Sequence, residues 1–321
     1  MGAYADWKTV PSFVNTLLLK GLGDMFSNPQ KGVFESFTEM RKSGSNLNNL
    51  TLAGGTQGMR RWRGSKVFNQ IKAFSLNVET GNWESSLIID KDTLQYDQTG
   101  EVARRVASFL ANQIDFYDTA ALAALVSVSG AGATCIDGTA LFNASHPWAT
   151  AAGGTQSNLG TTAYSMAQQD AICIIMGDYT HEDKRLNVNP DTIMCGRKIL
   201  RKVLEANESP VRVIPLNASG VEAYSSAIMS SVIPNVYPGG KLTVVFNPRL
   251  TGTYDDYYYI YDSKFAGGKP IIGIEAEAPH LVALDKEDGY HRFMSNQYIW
   301  SVEANVDFFP YNPLCCYATV L

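Results

Sequence analysis

The stretch from Cys135 to Trp148, Cys-Ile-Asp-Gly-Thr-Ala-Leu-Phe-Asn-Ala-Ser-His-Pro-Trp, holds the residue types of a thiol-dependent site. Cys135 would be the nucleophile, Asp137 an orienting carboxylate and His146 the base. The spacing does not demand that assembly. No nucleophile elbow surrounds the cysteine and no second histidine lies nearby; Asp137-Gly138 is the pair of a tight turn, and His146-Pro147 marks an extended break. A cysteine-dependent hydrolase is kept as a minor alternative, and no catalytic residue is assigned.

Other chemistry-bearing stretches are weaker. His181-Glu182-Asp183-Lys184-Arg185 offers metal ligands, yet mixed charges in a row are the pattern of a solvated loop. The five cysteines form no CxxC pair and no Cys/His zinc spacing, so they read as reduced thiols and no metal or cofactor site is assigned. Residues 149 to 162 are rich in Gly, Ala and Thr but lack the Lys-Ser/Thr ending of a phosphate-cradling loop; they read as a flexible linker. Arg60, Arg61, Trp62 and Arg63 combine phosphate-pairing guanidiniums with a stacking ring. A protein with 26 Lys and Arg against 31 Asp and Glu, net charge -5, is not built to coat nucleic acid. These four residues, with Trp83, are read as candidates for contacts between subunits, where Arg and Trp are favoured anchors.

The elements that must position these residues centre on Thr99 to Val128, the longest helical pattern of the chain. Val102, Val106, Phe109, Phe116, Ala120, Ala124 and Val128 form the expected apolar stripe, and Arg104, Arg105, Asn112, Asp115 and Asp118 are left to other faces. Thr99 is the expected cap, Glu101 and Arg105 an i,i+4 pair, and Gly130 with Gly132 the stop. Ahead of this spine, Phe74, Leu76 and Val78 alternate with polar residues, Thr80 to Asn82 suit a tight turn, and Trp83, Ser85, Leu87 and Ile89 alternate again, which predicts a β-hairpin with one wet face. Residues 1 to 45, with the short apolar run Phe13 to Leu19, read as an arm.

After the spine, Tyr164 to Met176 predicts a helix, Pro190 to Cys195 a buried strand, and the residues after Gly196 another helix, the alternation of an α/β domain. Strand runs flank Asn247-Pro248, and Tyr257 to Tyr261 read as strand packing. Tyr298 to Val306 and Cys315 to Leu321 close the chain as strands tied into a sheet. With 321 residues and 45% hydrophobic content the core is substantial. The N-terminus lacks a secretory or myristoylation pattern, and no run of some 18 apolar residues exists to span a bilayer.

The order of arm, a loop rich in Gly, Ser, Asn and Thr from Ser43 to Gly58, polar ribbon, spine helix, α/β domain and returning strands resembles the major capsid proteins of tailed phages with the HK97 fold. Within that group it is similar to the major head subunits of Mu-like phages and prophages. Three stretches carry the resemblance: Arg61-Trp62-Arg63-Gly64 running into the ribbon; the helix followed by Cys135-x-Asp-Gly-x-x-Leu-Phe-x-x-x-His-Pro147; and Asn235-Val-Tyr-Pro-Gly with Asn247-Pro-Arg-Leu250. The resemblance implies an α+β, HK97-like capsid fold with an N-terminal arm at 1–45, an extended β-hairpin loop at 46–92 reaching over a neighbouring subunit, a peripheral domain with the spine helix at 93–149, a separate axial α/β domain at 150–288, and C-terminal strands at 289–321 returning to the peripheral domain.

It further implies a structural virion protein, not an enzyme, assembled in the host cytoplasm. Hexamers and pentamers would form an icosahedral shell around double-stranded DNA held without sequence-specific binding. Scaffold, portal and decoration proteins would be partners, with no membrane and no cofactor. An encapsulin-like, non-viral shell of the same fold is the alternative.

Overall fold

A computed structural model of the chain describes residues 10–27, 32–53, 73–97, 100–126, 134–147, 153–208, 211–216, 229–234, 242–286 and 294–320. In chain order these form α1 (Val10–Ser27), β1 (Thr38–Lys42), β2 (Leu47–Ala53), β3 (Ala73–Glu79), β4 (Asn82–Asp90), the short α2 (Lys91–Gln95) and the long α3 (Glu101–Val126). There follow β5 (Leu159–Gly160), α4 (Met166–Gly177), β6 (Thr180–His181), β7 (Lys184–Arg185), β8 (Thr192–Cys195), α5 (Arg197–Asn207), β9 (Val211–Leu216) and β10 (Met229–Pro234). The last strands are β11 (Thr243–Phe246), β12 (Tyr258–Tyr261), β13 (Ile271–Leu284), β14 (Gln297–Pro310) and β15 (Cys316–Thr319). Among the described residues no helix is long and apolar enough to cross a membrane. The chain divides into two compact units.

The first unit draws on residues 1–50, 76–126 and 271–309. Its four-stranded sheet has the order β1-β13-β14-β4. β1 runs parallel to β13, Thr38 opposite Ile271, and β4 runs antiparallel to β14, Asn82 opposite Asn305 and Asp90 opposite Gln297. Val14, Leu18 and Leu22 recur at four-residue steps on α1 and are buried against Val102, Val106, Phe109 and Leu110 of α3, with Ile89, Tyr298, Trp300 and Val302 of the sheet in the same core. A Cβ at Gly21 would collide with Leu110, so the glycine admits α1 close to α3. Residues 10–27, expected within an arm, are thus a packed helix of this unit.

The expected Thr99 cap lies outside the described residues, together with Gly130 and Gly132. The carboxylate of Asp97 accepts from Glu101 N and Val102 N, both at 3.0 Å, and Glu101 pairs with Arg105 at 3.4 Å. The stripe holds over its first half and then shifts by one residue: Tyr117, Ala121 and Leu125 are buried where Phe116, Ala120 and Ala124 were expected. Asp118 also turns inward. Its Oδ1 accepts from Phe34 N at 2.8 Å, and Tyr117 packs edge-on to Phe308 with centroids 5.8 Å apart.

The expected hairpin of residues 74–89 is not formed. β3 pairs with β2, and β4 is the edge of the four-stranded sheet. The turn between them is held from elsewhere: Thr80 N donates to Asn46 O at 3.0 Å, Gly81 N to Asp307 at 2.9 Å, and Asn305 Nδ2 reaches Asn82 at 2.7 Å and Asn46 at 3.1 Å. The alternation on β4 is as expected, with Ser85, Leu87 and Ile89 more buried than Glu84, Ser86 and Ile88.

The second unit comprises residues 51–75, 127–270 and 310–321. Its five-stranded sheet has the order β11-β8-β12-β15-β5, with β8 parallel to β11 and β12 antiparallel to both β8 and β15. Ile193, Cys195, Tyr258, Ile260 and Tyr317 share a core with Ile172 and Met176 of α4 and Ile199 and Val203 of α5. Ser165 caps α4 by accepting from Gln168 N at 3.1 Å. The block Tyr257 to Tyr261 is buried throughout, as strand packing requires.

Three sequence groupings are corrected here. Residues 271–284, grouped with the 150–288 segment, form β13 of the first sheet. The closing strands, expected to return together, part at Pro310: β14 stays in the first sheet and β15 enters the second. The stretch read as a linker supplies β5, where Leu159 and Gly160 pair with Ala318 and Thr319, because its Asn158 is drawn into the core.

Candidate functional site

The residues with catalytic potential do converge, in the second unit, but in an order that disarms them. Gly138, at φ 80°, makes the tight turn in which Gly138 N donates to Cys135 O at 2.9 Å and Cys135 N to Thr139 O at 2.7 Å. That turn places Asp137 between the two other groups. Its Oδ1 accepts from the Cys135 thiol at 2.7 Å and from Thr139 N and Oγ1 at 3.0 and 2.8 Å, while its Oδ2 lies 2.6 Å from His146 Nδ1.

On its far side, His146 Nε2 faces Asn158 Oδ1 at 3.0 Å. The orientation of the Asn158 amide is set by backbone: Nδ2 donates to Leu141 O at 2.8 Å and Pro313 O at 3.1 Å, and Oδ1 accepts from Asn143 N at 2.8 Å. Both ring nitrogens of His146 therefore face side-chain oxygens, Nδ1 that of Asp137 and Nε2 that of Asn158. Backbone bonds between His146 and Gln156, at 2.8 and 3.0 Å, close the loop.

Electrostatics follow from this geometry. Burial works against ionisation of Asp137, but the hydrogen bonds from His146, Cys135 and Thr139 outweigh it and hold the carboxyl below its ordinary range. Burial first, and then the Asp137 carboxylate, push the Cys135 thiol far above its ordinary value. A thiol that donates to a carboxylate and is fully buried is no nucleophile. The constellation is a structural knot that ties residues 135–158 to Pro313. Asn158 had no sequence signal, since nothing in a Gly/Ala/Thr-rich run marks an asparagine that becomes buried.

His181 to Arg185 form the β6–β7 hairpin, with Glu182 and Asp183 at φ 50° and 67°, the two-residue turn whose twist suits a hairpin. Among the described residues no group of three His, Cys, Asp or Glu could hold a metal ion.

Of the contact candidates, Arg60, Arg61, Trp62 and Arg63 lie outside the described residues. Trp83 is placed in the first unit, on edge strand β4. Its ring lies 4.8 Å, centroid to centroid, from Phe116 of α3, and the side chain is still 45% exposed. Burial raises the Asp307 carboxyl above its ordinary value, opposed by the hydrogen bonds from Gly81 and Trp83. A large ring packed on one side against Phe116 yet half open to solvent has the form of an anchor for another surface.

Comparison with known proteins completes the picture. No curated protein matches the chain. A family profile described as phage capsid protein matches residues 76–319. Among solved structures the chain is similar to the procapsid of bacteriophage JBD30, with 15% identity and a TM-score of 0.55 over 97% of this chain and 74% of that one. It is also similar to a structure from Microbacterium phage Oxtober96, with 14% identity and a TM-score of 0.50 over 92% of both chains. A third likeness is to the capsid of a native GTA particle, with 9% identity and a TM-score of 0.50 over 92% of both chains. At these identities the likeness is one of fold, the mixed α+β fold of HK97-type capsid subunits.

Proposed function

Because the chain belongs to the phage capsid protein family, we propose that it is the major head subunit of a tailed phage or prophage, a structural protein of the virion that forms the icosahedral shell. The observation that carries this reading is the family match over residues 76–319, which takes in the spine helix α3 and most of both sheets. The protein is not an enzyme, and the burial of Cys135 beneath Asp137 agrees with that.

In this reading the copies assemble as hexamers and pentamers. Within residues 46–92, the stretch whose paired stem is β2 and β3 extends over a neighbouring subunit, while β4 stays in its own unit's sheet. The unit built on α3 is the peripheral domain, and the unit built on the five-stranded sheet is the axial domain. Copies related by rotation present complementary, non-identical surfaces, so rings close and bending between rings closes the shell. Trp83 and the cluster Arg60, Arg61, Trp62 and Arg63 lie at contacts between copies. Scaffold, portal and decoration proteins complete the particle. Double-stranded DNA is enclosed without sequence-specific binding, in keeping with the net charge of -5.

A Mu-like affiliation is supported by the motifs at 61–64, 135–147 and 235–250, of which the second is the turn and knot described above. The test of the whole reading is expression of the chain alone and with the genes beside it, followed by negative-stain electron microscopy. Shells, tubes or six-fold rings are expected. Discrete small particles in both preparations at high concentration would overturn it.

A further inference from the structure

Two helices cover one face of the second unit's sheet, and they are joined to each other: Gln169 Nε2 donates to Asn207 Oδ1 at 2.9 Å and Asn207 Nδ2 to Gln169 Oε1 at 3.1 Å. Their core-facing residues, Ile172 and Met176 on α4 and Ile199 and Val203 on α5, are accounted for by the fold. Their outer flanks are not, and the two flanks differ in chemistry.

α5 is cationic. Arg197, Lys198, Arg201 and Lys202 are all exposed on an acidic protein, against the single carboxylate of Glu205 within the helix. Lys198 pairs with Asp256, and Arg201 with Glu205 at 3.0 Å. Arg197 lies 6.0 Å from the centre of the Phe246 ring, and neither it nor Lys202 has an acidic partner among the described residues. α4 is apolar and acidic outside. Ile174 and Ile175 are 66% and 41% exposed, Asp178 follows at the helix end and pairs with Arg185 at 2.6 Å, and Asp170 one turn before Ile174 has no cationic partner among the described residues.

We infer that these flanks are the two halves of one contact between copies of this chain, the cationic flank of α5 in one copy lying against the α4 flank of the next. This rests on the capsid reading and specifies a contact within it. Opposite charge steers the two flanks together and sets their register, and the two isoleucines supply apolar area that a polyanion such as DNA would not cover. Each copy carries both halves side by side on one sheet, so the contact is heterologous and repeats until a ring closes.

The test uses two charge-reversed full-length chains, Arg201→Glu with Lys202→Glu, and Asp170→Lys with Asp178→Lys, produced separately and together, with subunit melting followed by circular dichroism. Each alone is expected to lose at least about tenfold in assembled particles, since like charges brought face to face cost several kcal/mol and 1.4 kcal/mol is a factor of ten. Their melting should match the unaltered chain, and co-production should restore particles containing both. Normal assembly of either variant alone overturns the inference. So does failure of two folded variants to rescue each other, and so does a pair of variants that only melt early. Normal particles depleted of DNA would assign α5 to the packaged nucleic acid instead. Failure of the unaltered chain to assemble would count against the capsid reading itself.

Discussion

The indole of Trp300 donates to Asn15 Oδ1 at 2.6 Å, although 285 positions of chain separate the two residues. Trp300 is fully buried near the start of β14, and the same Asn15 side chain donates to Asp285 just beyond β13. One amide thus satisfies a buried N–H and fastens the N-terminal helix to the C-terminal part of the first sheet.

Asn15→Ala removes that acceptor and leaves the Trp300 N–H buried without a partner. Such a group costs about 1–3 kcal/mol. Urea unfolding followed by tryptophan fluorescence should show a loss of that size. A variant as stable as the unaltered chain would mean that α1 is held by its apolar stripe alone.

His146→Ala leaves Asp137 ionised and buried with its main partner gone. Breaking a buried pair in this way costs about 3–5 kcal/mol. The Cys135 thiol, by contrast, should resist alkylation for as long as the subunit is folded. Mass spectrometry after brief iodoacetamide treatment, with and without urea, checks this, and rapid native labelling of Cys135 would contradict the knot.

Acid should weaken the second unit through Asp137. Its carboxyl titrates lower in the folded chain than in the unfolded one, so the ionised form favours folding. That contribution is complete above the ordinary carboxylate value near about 3.9 and is lost as pH falls through the lower folded value. Asp137→Asn should be less stable at neutral pH and should lose less on acidification over that window. Parallel acid sensitivity in both chains would remove Asp137 as the cause.

Trp83→Ala should impair assembly more than folding. The ring contributes its packing on Phe116 to the subunit, but its exposed half is available to a neighbour. Truncating an interface anchor costs about 2 kcal/mol or more at every repeat of the contact. Particle yield should therefore fall steeply while the subunit melting temperature changes little; an early-melting subunit that assembles fully would place Trp83 in the core instead.

Gly196→Ala should be costly for a different reason. A Cβ there would sit 2.7 Å from Leu250 O, a backbone atom that cannot swing away, at the junction of β8 and α5. A clear drop in melting temperature is expected, and an unchanged one would show that the junction can open.

What the sequence by itself determined was local. The apolar stripe over the first half of α3, the turn at Asp137-Gly138, the two-residue alternation on β4 and the buried run of β8 are properties of neighbouring residues, and the structure has all of them. The family was legible in the order of these elements, and the profile match over residues 76–319 bears it out. What only the tertiary structure decided was partnership. Alternation says which face of β4 is buried but not which strand lies beside it, and that strand, β14, is more than 200 positions away. Likewise, Cys135, Asp137 and His146 have the composition of a catalytic site. The buried amide of Asn158, oriented by Pro313 at a distance of 155 positions, closes them into a knot. Periodicity acts along the chain, whereas hydrogen bonding and burial are satisfied by whatever the folded chain brings near.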